Sequence, residues 1–199
     1  MKKQKGFTLI ELLAVLGIIV TVGAVASAII FSSLRAATKT NQVNLITQNG
    51  NLAIQQITRT IQYAKSFDGV SQDGQNFTTN CTTQSLSSPL PSPTPTPVPI
   101  QYSAVSVTLF DESQVTFACS PPDQPTDLTS STSGTTTDLI DTNSVLVSQC
   151  YFTCSQDYIT AAPSIGISLI LSQIGSPSFA EKNTSIPFNT SVTMRNSNK

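Results

Sequence analysis

An uncharged run of twenty residues, LLAVLGIIVTVGAVASAIIF at positions 12–31, restricts what this chain can fold into more than any other feature. About twenty apolar residues, rising 1.5 Å each as a helix, match the roughly 30 Å hydrocarbon core of a bilayer. Lys2, Lys3 and Lys5 precede the run, and Arg35 and Lys39 follow it. Positive charge ahead of a first apolar span favours a cytoplasmic N-terminus. One residue disturbs the pattern. Between Phe7 and Phe31 the only ionisable side chain is Glu11, and a carboxylate within a bilayer costs about 3 kcal/mol on insertion scales unless it is partnered.

Two ordinary readings leave that acid unexplained. A secretory signal peptide would be cut at a small-residue site, and Ala24-Val25-Ala26 and Ala26-Ser27-Ala28 both fit one. The apolar stretch is long for such a peptide, which has no use for Glu11. A plain N-terminal anchor has none either. The nearest cation available to Glu11 is an α-amino group created by cutting before Phe7. Glu11 would then be the fifth residue of the mature chain, about one helical turn from its own amine.

The segment KGFTLIELL, residues 5–13, resembles the leader of type IV prepilins and type II secretion pseudopilins. The resemblance implies cleavage after Gly6 and N-methylation of Phe7 by one membrane-embedded prepilin peptidase/methylase. It also implies that Glu11 pairs with the N-terminal amine of a neighbouring subunit during filament assembly. The implied partners are that enzyme, other pilin or pseudopilin subunits and an inner-membrane assembly platform. Such a buried pair serves better as a register device than as a source of net stability.

The chain is long enough for one membrane helix and one modest domain: 199 residues, of which six would leave with the leader. Charge is unevenly placed. Residues 7–65 carry four cations and one acid, net +3, whereas residues 66–199 carry three cations and ten acids, net −7. An acidic head does not attract nucleic-acid phosphates, so no direct nucleic-acid binding by the head is expected. Ser, Thr, Asn and Gln dominate the second half, which suits an exported surface.

Beyond the apolar run, Val43, Ile46, Gly50, Ile54, Ile57, Ile61 and Ala64 recur at intervals of three or four, one stripe of a helix. No proline occurs before Pro89; many major pilins have a kinking proline in this helix. Gly17 and Gly23 could loosen it locally. Asp68-Gly69 and Asp73-Gly74 supply stop and turn signals. The run SSPLPSPTPTPVPI, with proline at every second position from Pro89 to Pro99, favours an extended polyproline conformation. It reads as a stiff spacer. The Asn-X-Ser/Thr matches at Asn76, Asn80, Asn183 and Asn189 are weak signals for glycans in so Ser/Thr-rich a chain.

After Pro99 the period becomes two. YSAVSVTLF and VTFAC predict a hairpin turning at Asp111–Gln114, and residues 120–143 read as a loop. SVLVSQCYFTC (144–154), SIGISLILSQ (164–173) and IPFNTSVTMRN (186–196) predict further strands. The expected fold class is α+β. A long N-terminal helix, transmembrane half plus amphipathic half, precedes an antiparallel β-sheet head of about five strands. The expected organisation is a leader over 1–6 and a transmembrane or filament-core helix over 7–31. An amphipathic continuation over 32–66, a Pro-rich loop over 67–100 and the sheet head over 101–199 follow. A final strand ending in SVTMRN resembles minor pilins and pseudopilins of the J class.

Four cysteines, Cys81, Cys119, Cys150 and Cys154, read as two disulfides in an exported domain. If 144–154 is one straight strand, Cys150 and Cys154 lie roughly 13 Å apart, too far to bond each other. A bend at Tyr151-Phe152 would restore that local pair, so the connectivity stays open. Zinc is disfavoured by the spacing and by the lack of His. Asp68-Gly69 and Asp73-Gly74 could hold calcium, but turn chemistry accounts for them. Without His a Ser-His pair is impossible, and no glycine-rich phosphate loop occurs. The chain therefore reads as a non-enzymatic structural subunit without a cofactor. It would be a single-pass inner-membrane protein, N-terminus in and head exported, before joining an extracellular or periplasmic filament. A membrane-anchored or secreted binding protein that never polymerises is the alternative, and the mature N-terminus distinguishes them.

Overall fold

A computed structural model describes residues 8–81, 99–121, 126–157, 161–174 and 184–195. The chain divides into two compact units, Met1–Val43 and Asn44–Lys199. Helix α1 (Leu9–Gln62) begins in the first unit and ends in the second. In the first unit its large apolar side chains are exposed throughout, from Leu9 to Leu34.

In the second unit the end of α1 turns inward the stripe expected from the sequence. Ile46, Gly50, Ala53, Ile57 and Ile61 are buried, joined by Ala64. Ile54 is only partly buried, and Ala53 takes its place in the core. The strands form two antiparallel sheets. β1 (Ser66–Ser71), β2 (Ala104–Thr108), β3 (Gln114–Ser120), β4 (Asp127–Thr132) and β5 (Thr135–Asp138) are neighbours in sequence order. β6 (Val145–Ser155), β7 (Ser164–Gln173) and β8 (Ser185–Thr193) make a three-stranded meander. The fold is α+β with a C-terminal sheet head, as predicted, with eight strands among the described residues rather than about five.

The extra strands have identifiable causes. The helix stops at Gln62, short of the predicted 66, because later backbone groups take tertiary partners. Lys65 donates its N–H to the Thr108 carbonyl at 2.8 Å, and Arg195 donates its N–H to the Gln62 carbonyl at 3.3 Å. Residues 66–71, assigned to helix and loop from the sequence, are therefore strand. Asp68-Gly69 is a bulge in β1 rather than a helix stop: the register shifts between Phe67 and Gly69. Gly69 adopts φ 133°, and a Cβ there would sit 2.7 Å from the Thr78 carbonyl oxygen. Only glycine meets both demands.

β4 and β5 fall in the segment predicted as a loop. They join through Ser133 (φ 50°) and Gly134 (φ 83°), a two-residue turn with both central residues at positive φ. Within β4 only Leu128 and Ser130 are buried, too weak an alternation to announce a strand. The other hairpin matches expectation. β2 and β3 pair around a turn closed by the Leu109 N–H on the Ser113 carbonyl at 2.9 Å.

Gly50 of α1 lies against Phe188 of β8. A Cβ on it would collide with the ring of Phe188, a buried residue of β8. Gly50→Val should cost about 2 kcal/mol through overpacking, and Phe188→Ala alone about 3–5 kcal/mol through a cavity. The pair should cost well under the sum, because valine fills the space the ring leaves. Thermal melts of the full chain in detergent read this coupling; strictly additive costs would refute the contact.

Candidate functional site

The candidate site is the start of α1. Thr8 is the N-cap: its carbonyl accepts the N–H groups of Glu11 at 3.1 Å and Leu12 at 3.2 Å. Glu11, third residue of the helix, reaches back so that its Oε2 accepts the Thr8 N–H at 3.5 Å. This is the carboxylate half of a capping box, and it places a negative charge at the positive end of the helix dipole. The sequence reading passed over Thr8, although its Thr-x-x-Glu spacing is the signature of such a cap. Lys2, Lys3, Lys5, Gly6 and Phe7 lie outside the described residues.

Following Glu11, the polar side chains of the apolar run satisfy themselves. Thr21 donates its hydroxyl to the Ile18 carbonyl and Ser27 to the Gly23 carbonyl, both at 2.9 Å. Neither therefore presents an unsatisfied donor to lipid, where that would be costly. The run contains a window long and apolar enough to cross a membrane. Residues 1–30 carry a prokaryotic N-terminal methylation motif. At family level the motif supports a type IV pilin-like or pseudopilin subunit. It implies processing by a prepilin peptidase and assembly with other pilin subunits, and it points to a structural protein rather than a known enzyme. No curated protein and no solved structure matches the chain.

The structure pairs the cysteines as Cys81–Cys154 and Cys119–Cys150, with Cα separations of 5.4 and 5.7 Å. β6 is in unbroken register with β7 from Gln149 to Ser155. Cys150 and Cys154 thus sit four steps apart on a straight strand, and each turns to a distant partner. Cys119–Cys150 ties β3 of the larger sheet to β6 of the smaller one.

The acidic turns are occupied by their own chain. Asp73 Oδ1 accepts the N–H groups of Gln75 at 2.9 Å and Asn76 at 2.8 Å and the Ser71 hydroxyl at 2.8 Å. Its other oxygen accepts from Asn76 Nδ2 at 2.6 Å. These bonds, the Asn76 N–H foremost, hold its carboxyl well below the usual range. Ser113 lowers the carboxyl pKa of Asp111 through its hydroxyl and N–H, and Ser144 and Asn143 lower that of Asp141. Asp68 accepts from the Thr108 hydroxyl at 2.7 Å and from Gln114 Nε2 at 3.2 Å. Turn and bulge chemistry accounts for both Asp-Gly pairs.

Proposed function

We propose that the chain is a minor pilin or pseudopilin, a structural subunit of a type IV pilus or a related type II secretion-like pseudopilus. The observation that carries this reading is the methylation motif over residues 1–30, with Glu11 in the first turn of a membrane-length apolar helix. Residues 1–6 are the leader, residues 7–31 the transmembrane and later filament-core helix, and the head beyond is exported. The leader lysines hold the N-terminus in the cytoplasm. Cleavage after Gly6 frees Phe7, which is N-methylated, and Glu11 pairs with the Phe7 amine of the adjacent subunit as the chain docks on an inner-membrane assembly platform.

The mature N-terminus tests this reading. Mass spectrometry of the N-terminal peptide should find N-methylated Phe7, and replacing Gly6 with a bulky residue should leave the lysine leader attached. A chain starting at Ser27 or Ile29 would establish ordinary signal cleavage and overturn the proposal.

A further inference from the structure

The β2–β3 hairpin ends in a shape its sequence does not favour. Residues 109–113, LFDES, make the turn, and Glu112 stands at φ 67°, where glycine or asparagine is the usual residue. The turn is held on three sides. Glu112 donates its N–H to the Leu109 carbonyl at 3.1 Å. Asp111 Oδ1 accepts the Ser113 N–H at 3.0 Å and the Ser113 hydroxyl at 2.6 Å. Lys65, just past the end of α1, sets its Nζ 3.3 Å from Glu112 Oε1. The tip so braced presents Phe110 at 66% exposure, the most exposed large apolar side chain described beyond residue 43. An aromatic ring on an ordered tip, followed by two acids, has the form of a binding anchor, because little ordering remains to be done on binding.

The same unit carries a surface of opposite character. Leu45, Leu52, Gln56 and Arg59 are all exposed, Leu52 at 59%. They share one stripe of α1, about a third of a turn from the buried stripe. No acid occurs between residues 12 and 67, so the stripe is apolar with a cation at its end and no carboxylate of its own.

We propose that the Phe110 tip of one copy docks on this stripe of a second copy, its ring against Leu52 and its Asp111 carboxylate facing the Arg59 guanidinium. The two patches differ, so the contact is head-to-tail and repeats along a filament instead of closing on itself. It also sets a displacement. The tip is tied to Lys65, six residues beyond Arg59 and thirteen beyond Leu52, so parallel helices in this contact are staggered by about 10–20 Å. Chains lying at one depth in a membrane are not staggered. The contact therefore forms in the filament and gives the heads a register of their own, beyond the pairing of Glu11. It rests on the assembly reading above.

A photo-cross-linking phenylalanine analogue placed at position 110 of the full chain tests this, with filament and membrane fractions irradiated separately. Filaments should yield a dimer-sized product joining position 110 to residues 45–59 of a second copy, read by peptide mass spectrometry, and membranes should not. Asp111→Asn keeps an acceptor for Ser113 and removes the charge. It should lower the filament product about threefold, as should Arg59→Gln. The two together should lower it no further than either alone, since one interaction is lost only once.

Cross-links from filaments to another protein, or to a different part of the second copy, overturn the contact while leaving assembly through α1 in place. Losses that multiply in the double variant overturn the Asp111–Arg59 pairing. A chain that never enters filaments overturns the assembly reading, and this contact with it.

Discussion

Glu11→Ala should yield a membrane-inserted, leader-processed, disulfide-bonded protein that enters filaments at about a tenth of the wild-type level or less. The disulfides and both sheets belong to the second unit, and residue 11 to the first, so the head should fold regardless. Insertion should be neutral or easier once a costly charge is gone. What disappears is the proposed partner of the Phe7 amine on the next subunit, and with it the docking register. Because Glu11 also caps its own helix through the Thr8 N–H, alanine alone confounds two roles. Glu11→Gln separates them: glutamine closes a capping box as well as glutamate does but carries no charge. It should fail in assembly nearly as badly as alanine, and Glu11→Lys should be worse because it opposes two cations. The measurement is the ratio of filament-associated to membrane-associated protein. Wild-type incorporation of Glu11→Gln would assign the acid to helix capping and remove the pairing role.

The double substitution Cys119→Ala/Cys150→Ala should lower head stability by about 4 kcal/mol, the chain-entropy value for a loop of this size, the two cysteines being 31 residues apart. That is a large fraction of the 5–15 kcal/mol by which domains are typically stable. For a unit of this size it amounts to a fall of about 10 °C in the melting temperature. The bond closes a loop between residues 31 apart, so its loss frees that loop in the unfolded ensemble. Full-length protein in detergent, melted with and without the substitutions, gives the answer. An unchanged melting temperature would mean the bond does not hold the head. Non-reducing mass mapping of exported protein should meanwhile recover Cys81–Cys154 and Cys119–Cys150 and no free thiol.

Where one face of an element is buried along its whole length, the sequence announced it. The stripe from Ile46 to Ala64 and the alternation Ile165, Ile167, Leu169, Leu171 are direct imprints of a shared core. The elements that escaped notice are held by other means. β1 depends on Lys65 finding a backbone partner in Thr108, on Val70 exchanging hydrogen bonds with Thr78, and on pairing with β2, which lies far away in sequence. β4 and β5 are Ser/Thr-rich, and only Leu128 and Ser130 of β4 are buried, so hydrophobic pattern says little; the Ser133-Gly134 turn was the available clue. The cysteine pairing turned on whether β6 bends at Tyr151-Phe152, which its register with β7 decides and local residues do not. At the candidate site Glu11 stood out because a charge in an apolar run is conspicuous. Thr8 did not, since a threonine there is chemically unremarkable until the helix start is known.

The way the two bridges share β6 has a topological consequence. Any single peptide bond cut between residues 82 and 153, a stretch that includes the whole Pro89–Pro99 run, lies inside the ring closed by Cys81–Cys154. The two pieces produced by such a nick stay covalently joined, and cuts between residues 120 and 149 are spanned by both bridges. A protease outside the cell could sever the backbone there and release nothing. The nicked chain would travel as one species until a reductant reached it, so the head can lose chain continuity without losing its connection to the membrane helix.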